Sequence, residues 1–131
     1  MKYLLMIYTN PRTWGHPSFL RAAEAETMSQ DEHEEMSEQF EALMKEIVES
    51  GELVGGEALA APVHTRTVRV REGTPVTTDG PYVEAKEQLA GFFVVDCESP
   101  ERAYEIAARF PDARFAAVEV HPIMNLSAQE M

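Results

Sequence analysis

At 131 residues, 44% apolar and 26% charged, the chain has the size and composition of one globular domain and not of a disordered or fibrous polymer. Its 23 acidic against 11 basic side chains leave a formal charge of −12, a field that repels phosphate backbones and anionic lipid, so neither nucleic acid nor a membrane surface is an expected partner. No apolar run approaches the roughly 18 residues of a membrane span, and the lone Cys97, unable to form an intramolecular disulfide, fits a cytoplasmic location.

Met1-Lys2-Tyr3-Leu4-Leu5-Met6-Ile7-Tyr8 begins like a secretion signal, with one basic residue and an apolar run. The run is short, lacks a small-residue cleavage site and alternates, so a strand is expected over about Lys2 to Thr9. Asn10-Pro11 interrupts it. The segment from there to Met28 carries Pro11, Trp14, Gly15, His16, Pro17 and Phe19, too irregular for one element, with a short helix expected over Phe19 to Ala25. A connection this long serves either as a lid or binding loop or as a passive link.

Ser29-Gln30-Asp31-Glu32 reads as a capping box, Ser29 accepting from the amide near Glu32 and Glu32 reaching back, with Met28 and His33 at the staple positions. Met36, Phe40, Leu43 and Ile47 then recur at helical spacing as a buried stripe. Gly51 suits the left-handed position that ends this long helix. Leu53-Val54 starts a second strand, which Gly55-Gly56 marks for a bulge or a close backbone approach. Thr67, Arg69 and Arg71 alternate with Val68 and Val70 in a strand, Glu72-Gly73 forms a turn, and Val76 to Thr78 returns as its partner.

Beyond an Asp79-Gly80-Pro81 turn, Leu89 to Asp96 is apolar on both faces and is therefore placed centrally in the sheet. Ser99-Pro100 is an N-cap with proline at the first helical position. Ala103, Ile106, Ala107 and Phe110 supply the buried stripe of this second helix, and Pro111 stops it. Ala116 to Pro122 is the last strand; 1–124 is read as one domain and 125–131 as a loose tail. The order predicts an α+β ferredoxin-like sandwich, with two helices on one face of a mostly antiparallel sheet. The other sheet face then needs cover, and a second subunit supplies it most economically in a two-fold homodimer.

Three segments in order, Val68-Arg69-Val70-Arg71-Glu72-Gly73, Thr78-Asp79-Gly80-Pro81-Tyr82-Val83-Glu84-Ala85-Lys86-Glu87-Gln88-Leu89-Ala90-Gly91-Phe92 and Val118-Glu119-Val120-His121-Pro122, resemble the YCII-related proteins of the DGPF type. The resemblance runs through most of the chain from about Ser29. It implies a bacterial, cytoplasmic, dimeric α+β barrel, a fold shared with muconolactone isomerases and small monooxygenases, and an association with extracytoplasmic-function sigma factors. It implies no particular reaction. In the smaller YCII-like proteins a His and Asp pair is the proposed site. His33 matches that histidine, whereas the aspartate position before Pro111 is Phe110 here, so the pair is incomplete. Tyr82 replaces the usual Phe, and His121 stands where Arg is expected.

Asp79 can cap its own turn, with Gly80 pushed toward an extended conformation by Pro81, or it can orient a histidine or accept a proton. Lys86 and Glu87 are either solvated or ligand-binding, Lys86 through an anionic group. His33 is a helix staple or a base. Glu119 and His121 share a strand face, where they can share a proton, bind a ligand or simply face solvent. The four histidines, His16, His33, His64 and His121, show no His-x-His or His-x3-His spacing, and no metal is expected. Phosphate-binding glycine loops, a nucleophile elbow and paired cysteines are missing, and no cofactor is expected. Cys97 has no activating neighbour in sequence and is expected to be inert.

Two functions fit these residues. One is a cofactor-independent enzyme acting on a small polar or aromatic molecule in a cleft near Asp79 and His33. The other is a non-catalytic ligand-binding or regulatory module associated with a sigma factor, using the acidic segment from Ser29 to Gly51.

Overall fold

In the computed structural model, which describes residues 1–125, the chain runs β1 (Lys2–Thr9), α1 (Ser18–Arg21), α2 (Gln30–Glu49), β2 (Leu53–Ala58), β3 (Arg66–Arg71), β4 (Thr74–Asp79), β5 (Gln88–Asp96), α3 (Pro100–Arg109), α4 (Asp112–Phe115) and β6 (Ala117–Pro122). Four strands form an antiparallel sheet in the order β2-β5-β1-β6. α2 carries the chain from β1 to β2 across β5, and α3 carries it from β5 to β6 across β1. These two crossovers are the ferredoxin-like α+β arrangement.

Alternation along β1 sorts its side chains: Tyr3, Leu5, Ile7 and Thr9 are buried on the helical face, while Leu4, Met6 and Tyr8 are half-buried on the other. The buried set meets Leu43 and Ile47 of α2, Val95 of β5, Ala103, Ile106 and Ala107 of α3, and Phe110. Cys97 belongs to this core, and burial pushes its thiol up, which makes it a poor nucleophile. A second cluster of Phe19, Ala22, Ala25 and Met36 holds the segment before α2 against that helix. The rings of Phe19, Phe40, Phe110 and Phe93 link the two clusters, with successive centroids 5.4, 5.8 and 5.0 Å apart.

Local chemistry sets the element ends. Ser29 Oγ accepts from the Glu32 amide at 3.2 Å. The Glu32 carboxylate meets the Ser29 hydroxyl at 3.3 Å, so the return bond of the expected box goes to the side chain. Gly51, at φ +82°, closes α2. Ser99 Oγ caps α3 through the Arg102 amide at 3.2 Å. Pro111 ends α3 as expected, and it also opens the single turn of α4. The short helix expected over Phe19 to Ala25 is instead α1 followed by a 3-10 turn at Ala23–Thr27, because Ala22 at ψ 142° breaks the helical path between them.

Arg102 ties the helices together. Its guanidinium grips Glu52 with Nε and Nη2 at 2.8 and 2.9 Å and reaches Glu46 of α2 at 2.8 Å, while Arg109 adds a second contact to Glu46 at 2.7 Å. These contacts hold both carboxyls below their usual range and raise the guanidinium pKa further.

β3 and β4 form a separate hairpin, paired from Arg66↔Asp79 to Arg71↔Thr74 and closed over Glu72 and Gly73, both at positive φ. Neither strand has more than marginal contact with another element. Gly80, expected to be extended before Pro81, takes φ +85° and donates its amide to the Thr65 carbonyl at 2.8 Å. Lacking a Cβ, it can turn the chain back at the hairpin base. No helix among the described residues is long and apolar enough to cross a membrane. The loose tail expected over 125–131 lies, past Asn125, outside the described residues.

Candidate functional site

Between the helical face of the sheet, α2 and the segment preceding it lies a cavity of about 410 Å³. Its walls are mostly carbon, including Ile7, Phe19, Phe40, Phe93 and Phe110. Gly56 and Gly91 line it for a reason other than a ligand. β2 and β5 approach so closely that a Cβ on Gly56 would lie 2.6 Å from the Phe92 carbonyl oxygen, and one on Gly91 would lie 2.7 Å from that of Glu57. The register also shifts between Leu53 and Gly55, so the glycine pair marks a bulge and a close approach together.

Four polar side chains interrupt the apolar wall: the exposed Glu57, and His16, Ser18 and Asp112. Ser18 opens α1 and Asp112 opens α4; both are buried, and the Ser18 hydroxyl is hydrogen-bonded to Asp112 Oδ1. Burial pushes the Asp112 carboxyl above the usual carboxylate range, against the opposing pull of the Ser18 hydroxyl, its own backbone and the nearby His16. His16 stands at the rim with Nε2 2.8 Å from the Leu59 carbonyl oxygen. A carbonyl only accepts, so Nε2 carries the proton and, in the neutral ring, Nδ1 is the free base. Trp14 donates to the same carbonyl at 3.2 Å and meets the imidazole edge-on at 6.0 Å, which fixes the ring from behind.

A second, more polar cavity of about 240 Å³ shares Ser18, Phe19 and Asp112 with the first, so the Ser18 and Asp112 pair forms a common wall. Tyr8, Thr9, Lys86 and Glu87 also line it. Lys86 and Glu87, two candidates from the sequence, thus line the same cavity as the buried carboxyl.

The other candidates are scattered. Asp79 ends β4 with its side chain 91% exposed and paired to Arg66 Nε at 3.1 Å, and it lines neither cavity. His33 donates through Nε2 to the Ala25 carbonyl and pins the 3-10 turn to α2. It borders a shallow depression with Leu20, Glu34, Glu38 and Glu41, away from Asp79. Glu119 and His121 do meet, at 3.1 Å, on the sheet face that carries no helix, and Tyr8 donates to the same carboxylate at 2.8 Å. His121 and Tyr8 together hold the Glu119 carboxyl low, while burial, with help from Glu119, raises the Tyr8 hydroxyl. No group of three or more His, Cys, Asp and Glu side chains is arranged to hold a metal among the described residues.

His16, Ser18 and Asp112 were not singled out as a site in the sequence. The clue for His16 was its place in a connection too long and irregular to be passive. For Asp112 it was the vacancy at Phe110: the carboxylate sits two residues on, across Pro111, where α4 turns it into the cavity.

A ferredoxin-like α+β domain with an apolar cavity and a buried carboxyl at its wall is the class that this fold and site define. The family model of the YCII-related domain matches residues 1–127, and the chain belongs to that family. It is also 32% identical over 97 residues to an uncharacterised protein of Rhizobium meliloti (strain 1021), covering 72% of this chain and 78% of that one.

Proposed function

We propose that this YCII-related chain is a cofactor-independent acid-base catalyst that takes a small, mainly apolar and preferably aromatic molecule into the cavity walled by Phe19, Phe40, Phe93 and Phe110. The observation that supports this most is Asp112, a carboxyl buried at an apolar wall with its pKa raised, beside a histidine whose tautomer is set. A ring fits a carbon-lined volume of about 410 Å³. In this reading Nδ1 of His16 takes one proton from the ligand and Asp112, whose acid form burial favours, returns one. The reaction class is then a relocation of a proton and a double bond, with no change of oxidation state.

Asp79 then has a structural role, pairing with Arg66 across the base of the hairpin. We place the chain in the DGPF type of the family on Thr78-Asp79-Gly80-Pro81-Tyr82. The half-buried apolar residues Leu4, Met6, Phe92 and Val94 on the helix-free sheet face support the expected two-fold homodimer.

Asp112→Asn tests the reading, because it keeps a partner for Ser18 and removes the ionisable group. A carboxyl raised above its ordinary value near 3.8 costs stability that is absent below that value and grows as pH rises through the folded pKa. The variant is therefore expected to be more stable than the wild type by about 1 kcal/mol at pH 8 and equal to it near pH 3, while losing turnover of any ring compound that the wild type isomerises. Thermal melts at the two pH values check the first part. An Asn variant as active as the wild type would remove Asp112 from the chemistry.

A further inference from the structure

The β3–β4 hairpin is an arm without a cover. Two strands alone are marginally stable in water, yet this pair leaves the body with every residue exposed except the partly buried Thr67. Six-residue strands at about 3.3 Å per residue extend roughly 20 Å from their base. The arm also differs from the rest of the chain in charge. Residues 66–79 hold Arg66, Arg69 and Arg71 against Glu72 and Asp79, a small positive excess in a chain of net charge −12. Arg66 is already paired with Asp79. Arg69 and Arg71 have no carboxylate partner among the described residues.

These two arginines share one face of the hairpin with Val76 and Tyr82, bordering a shallow groove. Arg69 lies over the Tyr82 ring at 4.7 Å, which leaves its guanidinium edge free for a bidentate acceptor. Tyr82 is 72% exposed. On the far side of the charge balance, α2 presents Glu34, Glu38 and Glu41 at helical spacing around Leu20, all exposed and none paired with a cation among the described residues. One surface is arginine and aromatic, the other carboxylate around an aliphatic side chain.

We propose that the arm docks on a second copy of this chain, laying Arg69, Arg71 and Tyr82 against Glu34, Glu38 and Glu41 of α2 in that copy. Two-fold symmetry makes the contact reciprocal, each arm embracing the other subunit. The proposal rests on the homodimer proposed above and names the surface that adds to its helix-free sheet face. It assigns the long acidic helix to self-association and gives the exposed hairpin its missing cover.

Sedimentation equilibrium on three proteins decides it: the wild type, the arm variant Arg69→Glu/Arg71→Glu, and the helix variant Glu34→Arg/Glu38→Arg/Glu41→Arg, each checked for wild-type circular dichroism. The wild-type dimer is expected to weaken as NaCl rises, and each variant alone to dimerise at least about tenfold more weakly. A 1:1 mixture should recover the wild-type affinity, because in the heterodimer the reversed arm meets the reversed helix while the other contact keeps its native arginines and glutamates. Should either variant misfold, Arg69→Gln/Arg71→Gln keeps the arm testable with a smaller weakening in the same direction. Variants that dimerise like the wild type, or a mixture that fails to recover, overturn the arm contact and leave the sheet-face pairing standing. A wild type that stays monomeric at tens of micromolar overturns both, even if the arm then captures some other acidic protein.

Discussion

β1 and β3 carry the same period-two alternation, yet Tyr3, Leu5 and Ile7 are 5% exposed or less while Val68 and Val70 are 60% or more. The two strands differ in what lies over them. α2 and α3 cover β1 because their own apolar stripes, spaced by the helical period, require a partner. Nothing among the described residues offers such a stripe to the hairpin. Alternation therefore defines which side chains share a face, and burial follows only when another element has a matching face to bring to it.

The largest expected effect lies in the covered region. Leu43 is fully buried between α2 and the sheet, and Leu43→Ala should cost about 3 kcal/mol through lost transfer energy and the remaining cavity. Urea denaturation measures it, and a loss under 1 kcal/mol would mean that the body is no better packed than the arm.

Arg102→Ala is next, at about 1 to 2 kcal/mol, since it frees Glu52 and Glu46 from their shared cation. Glu52 has its folded pKa depressed, so the stabilisation is present above the ordinary value near 4.5 and is lost as pH falls through the folded value. The gap between wild type and variant should close in acid. A gap that persists at pH 2 would assign the effect to packing of the arginine stem instead.

The smallest effect belongs to the hairpin. Val70→Thr keeps the branched side chain and removes apolar surface that is already in water, so monomer stability should change by less than about 0.5 kcal/mol. Measured in the arm-reversed background, where docking is suppressed, a larger loss would reveal a contact within the chain that covers β3.

Much of the framework was readable along the chain. Ser29 and Ser99 cap the helices they precede, Gly51 and the Glu72-Gly73 turn take positive φ, and β5 lies inside the sheet. Gly80 was misread because the preference imposed by Pro81 competes with a hydrogen bond to Thr65, fifteen residues back, that the sequence does not announce. The candidate site was less legible. Lys86 and Glu87 do line a cavity beside Asp112, but His33 and Asp79, chosen for chemistry and motif position, face different surroundings.

The sequence by itself determined the segments, their caps and turns, and which residues of each share a face. Those features depend on contacts within a few residues, so local sterics and hydrogen bonding decide them. The tertiary structure decided which polar groups meet. Ser18 and Asp112 are 94 residues apart and His16 and Leu59 are 43, and both pairs exist because α1, α4 and the end of β2 converge on one cavity. Burial raises the Asp112 carboxyl only once that packing has removed water.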